Sequence, residues 1–314
     1  MITVLCGGVG AARFLSGLVQ VVDPATITGV VNTGDDAVIN GLAISPDLDT
    51  IVYTLAGAID RERGWGLGGE SWNTMDALHR YAVVRPDDSE AAATWFNLGD
   101  RDIATHLYRT TRRAEGASLT DITAEIAAAW GLAVRLLPMS DDPVATRLVL
   151  PDGGDIAFQD YFVRRHHEVT VSGVRFVGEA SPSDAAMDAI TDADTVIVAP
   201  SNPLVSIGPL RSLPGIDAAL AARRDRTVAV SPIVGGRALK GPADRMLTEL
   251  GHEPTVLGVA RLYRDIAATL VIDPADADLA AAVEGAGMRP VVTPSVMSTP
   301  ESAAHLAAAT LAAR

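Results

Sequence analysis

The chain has 314 residues, 48% of them hydrophobic and 20% charged, so it is long enough to bury a large core and too apolar to be disordered. Its 39 acidic and 25 basic residues give a net charge of −14, which argues against a nucleic acid or an anionic membrane surface as the partner. The single cysteine, Cys6, excludes an intrachain disulfide and a zinc site built from several cysteines.

Short apolar runs rich in β-branched residues alternate with Ala- and Leu-rich helical stretches along the chain. This spacing is typical of parallel strands that are joined by helical crossovers and buried on both faces, so it predicts an α/β fold. The predicted strands are Ile2–Cys6, Ile27–Val31, Val134–Leu137, Thr195–Ala199, Thr227–Val230, Thr269–Ile272 and Pro290–Thr293. The predicted helices are Ala11–Val22, Leu48–Ala58, Ile103–Arg113, Leu119–Trp130, Ile216–Arg223, Pro242–Leu250 and Ala303–Ala312.

One segment interrupts this alternation. Thr146–Leu150 and Ile156–Phe158 flank a Pro-Asp-Gly-Gly-Asp turn, which predicts a β-hairpin, and Val169–Phe176 is compatible with a further strand. We therefore expect a small antiparallel β insertion at residues 141–179, set on a core formed by residues 1–140 and 180–314.

The stretch Val163–His167 is predicted to be a solvated strand edge. On a strand, His166 and His167 would point to opposite faces and could not hold one metal ion together.

The start of the chain carries no basic leader, and no apolar run reaches the roughly 18 residues that a membrane helix needs. We expect a soluble, cytoplasmic protein.

A glycine-rich turn, Gly7-Gly8-Val9-Gly10, follows the first predicted strand and precedes a helix. Its backbone amides and the helix N-terminus favour a bound phosphate, with Arg13 one turn further on as a pairing cation. A tight turn without a ligand is the alternative. A nicotinamide dinucleotide site fits poorly, because Arg13 takes the place of the third glycine and the second strand ends at Asn32 without an acidic residue.

Acidic residues collect in the loops that follow. Asp35 and Asp36 come after the second strand and suit a divalent metal or a ribose, although an Asx turn explains them equally well. Asp49 lies in a helical first turn after the capping sequence Ser45-Pro46-Asp47, and carboxylates that converge usually imply a cation. Asp60 lies about three helical turns further on and is a weaker metal candidate.

Polar loops also follow the later strands, where an open parallel sheet gathers its ligands. One stiff loop offers hydrogen-bond donors and acceptors suited to a base edge or a phosphate, in the segments Ser201-Asn202-Pro203 and Ser206-Ile207-Gly208. Lys240 is either a phosphate cation or a solvated surface lysine.

These segments occur in one order that resembles the CofD/FbiA family, the 2-phospho-L-lactate transferases of coenzyme F₄₂₀ biosynthesis. The resemblance covers residues 1 to about 299. The shared series is Gly7–Gly10, Val31–Asp36, Ile44–Thr50, Leu98–Asp102, Pro138–Asp142, Pro200–Pro209, Ser231–Val234 and Gly241–Pro242.

The resemblance implies a Rossmann-like three-layer α/β fold with a mainly parallel sheet, a homodimer and a requirement for Mg²⁺. It also implies a transferase that moves a phospho-lactyl or phospho-enolpyruvyl group from a guanosine-diphosphate-linked donor to the terminal hydroxyl of the deazaflavin Fo. GMP is released and (dehydro) coenzyme F₄₂₀-0 is formed.

The resemblance implies that Asp49 and Asn97 contact the deazaflavin. From the residues themselves, we expect Asp49 and Asp35 to serve the chemistry and Asp49 and Asp60 to bind the metal. The residues expected to contact the nucleotide and its phosphates are Gly7, Gly8, Gly10, Arg13, Asn32, Thr33, Gly34, Asp36, Ser201, Asn202, Pro203, Ser206 and Gly208.

Two other functions compete with this interpretation. A related branch of the superfamily resembles regulatory proteins that bind nucleotide sugars, and tight binding of a UDP-sugar without binding of Fo would favour that alternative. A nicotinamide oxidoreductase is disfavoured by the glycine pattern described above.

Overall fold

The computed structural model describes all 314 residues, Met1–Arg314, and contains fourteen strands. They are β1 (Ile2–Cys6), β2 (Ile27–Val31), β3 (Ala37–Ile39), β4 (Leu42–Ile44), β5 (Arg135–Pro138), β6 (Ala145–Val149), β7 (Asp155–Ala157), β8 (Gly173–Val177), β9 (Thr195–Val198), β10 (Thr227–Val230), β11 (Ile233–Val234), β12 (Arg237–Ala238), β13 (Thr269–Ile272) and β14 (Arg289–Val292).

Twelve α-helices connect and cover these strands. They are α1 (Gly8–Leu18), α2 (Pro46–Leu55), α3 (Asn73–Ala82), α4 (Asp102–Ala114), α5 (Leu119–Ala129), α6 (Asp184–Thr191), α7 (Gly208–Ser212), α8 (Ile216–Ala222), α9 (Ala243–Glu249), α10 (Val256–Tyr263), α11 (Ala280–Gly285) and α12 (Pro300–Ala312). None of them is long and apolar enough to cross a bilayer.

Seven of the strands form one parallel sheet in the order β14-β13-β10-β9-β1-β2-β5. Alternate residues of a strand face opposite layers, so Leu5 joins one apolar core while Val4 and Cys6 join the other. Helices α6–α11 cover the first face, and helices α1, α2, α5 and α12 cover the second. This three-layer arrangement confirms the predicted α/β fold.

The predicted strand bounds agree with the structure to within one residue, because the inner strands are buried along their whole length and read as continuous apolar runs. Five helices were not predicted: α3, α6, α7, α10 and α11. Helix α3 is polar overall and buries only Met75, so its apolar face is too narrow to stand out in the sequence. Helix α10 is apolar on most sides, and it begins at Thr255, whose side chain accepts from the Gly258 amide.

The predicted hairpin is formed by β6 and β7, and β8 pairs with the other edge of β6. The prediction of a strand edge at Val163–His167 is wrong. Asp160–Arg164 forms a π-helical turn, and His166 and His167 then take left-handed backbone conformations with φ of 49° and 48°. Assignment of residues 141–179 to a separate unit stays a prediction.

Candidate functional site

A cavity of about 630 Å³ opens where the loops after β1, β2 and β9 meet. The first turn of α2, the segment around Trp95–Asn97 and the insertion complete its wall. Of the predicted site residues, those that line this cavity are Gly7, Gly8, Gly10, Asp35, Asp49, Asn97, Asn202 and Ser206. The structure thus brings together loops that are far apart in the sequence.

Several predicted nucleotide contacts lie behind the cavity wall and hold its loops together. The Ser201 hydroxyl donates to the Gly7 carbonyl at 2.7 Å and accepts from the Gly7 amide at 3.3 Å. The Asn32 side chain accepts from the Gly34 amide at 2.9 Å. The members of this predicted group that do not line the cavity are Arg13, which lies elsewhere, and Asn32, Thr33, Gly34, Asp36, Ser201, Pro203 and Gly208.

The glycines of the first loop also have a packing role. A Cβ atom at Gly10 would lie 2.1 Å from the Pro200 carbonyl oxygen, and one at Gly7 would lie 2.5 Å from the Ser206 Cβ. Glycine is therefore required where the loops after β1 and β9 approach each other, whatever ligand they hold.

We expect Gly10→Ala to lower the free energy of unfolding by at least about 2 kcal/mol, because the added methyl overlaps backbone. Urea unfolding without ligand measures this effect. Gly285→Ala is the matched control, since Gly285 lies in α11 with no atom within 4 Å of an added Cβ, and it should be neutral or stabilising. Equal stability of Gly10→Ala and the wild type would contradict the packing role.

Two buried carboxylates stand against the glycine loop without a cationic partner. Asn32 Nδ2 donates to Asp35 Oδ1 at 3.2 Å and to Asp47 Oδ2 at 3.0 Å, so the two carboxyl groups share one amide. Burial and the neighbouring Asp47 raise the pKa of Asp35 well above its ordinary value, and burial raises the pKa of Asp47 to about 6. Such a pair is suited to a divalent cation.

Asp47 was interpreted from the sequence as a helix-capping residue and not as a site residue. Ser45 does occupy the N-cap position of α2, but its hydroxyl donates to Asp36 Oδ2 at 2.6 Å instead of capping the helix. Burial raises the pKa of Asp36 to about 8. The signal in the sequence was the density of carboxylates at Asp35, Asp36, Asp47 and Asp49.

Asp49 has a different environment from Asp35 and Asp47, because it is paired with a buried arginine. Arg109, only 1% exposed, contacts both carboxylate oxygens of Asp49, with Nη1 at 3.1 Å from Oδ2. The same Nη1 donates to the Ala43 carbonyl at 3.2 Å. The charge of Asp49 is thus already neutralised within the protein, and the carboxylate is held in one orientation.

A second group of polar side chains continues behind Asp49. His106 Nδ1 lies 3.7 Å from Asp49 Oδ2, and His106 Nε2 lies 3.4 Å from Asp102 Oδ1. The Tyr53 hydroxyl donates to the same Asp102 oxygen at 2.6 Å. Sequence reasoning missed His106 and Arg109, although Asp102, His106 and Arg109 are spaced by four and three residues and so share one helical face.

The cavity also has aromatic walls that were not predicted. Phe158 and Phe162 of the insertion stack with ring centroids 5.5 Å apart and planes at 14°, while Trp65, Trp95 and Phe96 come from segments before α4. The chain has only four Trp and five Phe residues, and five of these nine line the cavity. This concentration is suited to a flat, apolar ring system.

Arg13 and Asp60 line a second cavity of about 340 Å³ and do not line the first one. Asp60 accepts from the backbone amides of Glu62 at 3.0 Å and Arg63 at 2.9 Å, and it pairs with the Arg63 side chain at 3.1 Å. The structure therefore gives Asp60 a turn-forming role and does not place it with Asp49 around the main cavity.

Known proteins resemble this chain over nearly its whole length. Residues 2–295 match the family model described as 2-phospho-L-lactate transferase CofD. A phosphoenolpyruvate transferase of Kitasatospora aureofaciens is 41% identical over 99% of this chain and 97% of the relative, and one of Mycobacterium avium is 41% identical with the same coverage. One from Streptomyces griseus is 40% identical over 98% of this chain and 96% of the relative.

A solved structure of a UPF0052 family member from Bacillus halodurans superposes on this chain with a TM-score of 0.64, and the match covers 99% of this chain and 98% of the other chain. At 14% identity this similarity concerns the fold alone. The family match and the relatives both extend over nearly the whole chain, and this chain belongs to the CofD family of 2-phospho-L-lactate transferases.

Proposed function

We propose that the protein transfers a three-carbon phospho-acid group from a guanosine-diphosphate-linked donor to the terminal hydroxyl of the deazaflavin Fo. The observation that carries this proposal is one cavity in which a glycine loop, the carboxylates of Asp35 and Asp47 without a cationic partner, Asp49 and five Trp and Phe rings meet. The names of the relatives, phosphoenolpyruvate transferases, favour an enolpyruvyl donor over a lactyl donor.

The donor diphosphate fits beside the Gly7–Gly10 loop, which lines the cavity at the N-terminus of α1, where a helix favours a bound anion. Asn202 and Ser206 line the same region and supply the polar groups for the nucleotide. Asn32 already donates to Asp35 and Asp47. Its role in this proposal is therefore to orient these two carboxylates and not to form hydrogen bonds with the guanine base.

Mg²⁺ is the cofactor that this acidic pair fits. A diphosphate on the glycine loop would lie beside two uncompensated carboxylates and would be repelled unless a divalent cation lay between them. Mg²⁺ prefers one or two carboxylates together with phosphate oxygens, so Asp35 and Asp47 would hold it. They suit this role better than the expected pair Asp49 and Asp60, whose charges Arg109 and Arg63 already balance. The bound ion would neutralise charge on the diphosphate.

The deazaflavin ring fits the aromatic part of the cavity, between the rings of the insertion and those near Asn97. Asp49 would then accept a hydrogen bond from the terminal hydroxyl of Fo and aim its oxygen at the phosphorus that bears the three-carbon acid. A new P–O bond forms there while the P–O bond to GMP breaks; GMP leaves with the electron pair of that bond, and the proton lost by the hydroxyl passes to the departing phosphate oxygen through solvent. The expected homodimer and cytoplasmic location stay predictions.

The direct test is to incubate the purified protein with Fo, Mg²⁺ and either guanosine-diphosphate-linked acid, and to analyse the products by mass spectrometry. We expect stoichiometric release of GMP and a Fo phosphodiester, formed faster from the enolpyruvyl donor; the two products differ by two hydrogens. Absence of GMP release with both donors would refute the proposal. Tight UDP-sugar binding without Fo binding would instead favour the regulatory alternative.

We expect Phe162→Ala to raise the KM for Fo by about 3- to 10-fold, because one face of the ring system loses an aromatic contact. The KM for the donor should not change. Val177→Ala, on an exposed position of β8 outside the cavity, is the control within the insertion. An unchanged KM for Fo in Phe162→Ala would place the acceptor elsewhere.

A further inference from the structure

The second cavity adjoins the main one. Val9 and Gly64 line both of them, so the space beside the glycine loop continues past these two residues. Arg13, on α1, lines the second cavity, and its half-buried guanidinium makes no hydrogen bond or ion pair. Asp60 is the one carboxylate in the lining, and it is already paired with Arg63.

A second cation lies at the junction of the two cavities. A Cβ atom at Gly64 would be 2.7 Å from the Lys240 ammonium nitrogen, and Lys240 itself lines the main cavity. Partial burial and the nearby Arg13 charge lower the pKa of Lys240. Two cations that repel each other without a counter-ion, in a chain of net charge −14, are the arrangement expected of an anion site.

The proposed reaction leaves one anionic group of the donor without a partner. In an in-line displacement, the attacking hydroxyl and the departing GMP lie on opposite sides of the phosphorus. The three-carbon acid on that phosphorus must therefore project sideways from the reaction axis, and its carboxylate needs a cationic pocket at the side. Asp35 and Asp47 cannot supply one, because they carry the same charge as the carboxylate.

We propose that Arg13 and Lys240, at the junction of the two cavities, bind the carboxylate of the donor's three-carbon acid. Arginine is suited to this role because its planar guanidinium can hold a carboxylate through two hydrogen bonds. Arg61, which also lines the second cavity, adds positive potential. The inference rests on the proposed function, and it makes these two residues determinants of donor specificity.

The test compares three ligands in the presence of Mg²⁺: GDP, its terminal ethyl ester, and the enolpyruvyl ester of GDP. The ethyl ester has no carboxylate but keeps the esterified diphosphate. In Arg13→Gln and in Lys240→Gln, we expect the affinity for the enolpyruvyl ester to fall about 10- to 100-fold, as for loss of a charge-assisted hydrogen bond. Affinities for GDP and the ethyl ester should stay within about twofold.

Arg237→Gln is the matched control. It removes the same charge from an exposed residue of the neighbouring β11–β12 hairpin that lines neither cavity, and it should bind all three ligands like the wild type. An equal loss for all three ligands in the Arg13 and Lys240 variants would overturn the proposal by assigning the cations to a phosphate. Unchanged binding of all three would overturn it as well. Wild-type protein that binds no enolpyruvyl ester would refute the proposed function itself.

Discussion

Replacing Asp49 by Asn should reduce the rate of transfer to Fo by roughly 100- to 1000-fold and should also destabilise the fold. The rate falls because an amide neither keeps the ion pair that orients this side chain nor carries the charge that attracts the acceptor hydroxyl. The fold suffers because Arg109, 1% exposed, is left as an unpaired buried cation, at a cost of about 3–5 kcal/mol. Turnover numbers and urea unfolding measure the two effects separately.

A double variant separates the catalytic from the structural contribution. In Asp49→Asn/Arg109→Gln the buried charges are removed together, so the fold should recover at least about 1 kcal/mol relative to the sum of the single variants. Activity should stay as low as in Asp49→Asn. Near-normal turnover in either variant would remove Asp49 from the reaction, and strict additivity of the stability losses would mean that the pair is not coupled.

Asp155→Asn is the control for loss of one negative charge. Asp155 pairs with Arg147 and with the exposed Arg175 on the insertion, away from the cavity. Ion pairs that solvent reaches contribute about 0–1 kcal/mol, and Asp155 keeps 22% of its side-chain surface exposed, so this variant should lose little stability and keep full activity.

The parts of this fold that the sequence predicts are those set by local pattern. Strands such as Ile27–Val31 are apolar along their whole length because helices cover both sheet faces, and that pattern is visible without coordinates. The loops with candidate chemistry were found because ligand sites in parallel sheets gather at the carboxyl ends of the strands. Their meeting around one cavity follows from the strand order, in which β1 lies between β2 and β9.

What the sequence did not reveal depends on tertiary contacts. Arg109 lies 60 residues from Asp49, and no periodicity links the two residues before α4 packs against β4 and brings Arg109 to the first turn of α2. Asp47 belongs to the capping sequence Ser45-Pro46-Asp47 of α2, so a local explanation concealed its position beside Asp35. Phe158 and Phe162 belong to an insertion whose placement over the cavity is a property of the whole fold.

Asp47→Asn should have the opposite effect on stability from Asp49→Asn. Asp47 is buried beside Asp35 with no cation, so neutralising it removes repulsion and a desolvation penalty while the side-chain oxygen can still accept from Asn32. We expect the metal-free variant to gain about 1–3 kcal/mol in free energy of unfolding. This gain should come with loss of transfer activity, as expected where function requires a strained site.

The response to Mg²⁺ decides whether this acidic pair is a metal site. With GDP present, Mg²⁺ at about 100 times its Kd should stabilise the wild type by about 2.7 kcal/mol, and EDTA should abolish both this gain and transfer. Asp47→Asn should show little of this stabilisation, whereas Asp155→Asn should respond like the wild type. A carboxylate that repels its neighbour in the metal-free protein must gain the most stabilisation when the metal binds. If Asp47→Asn is instead less stable than the wild type and still responds fully to Mg²⁺, the cation lies elsewhere.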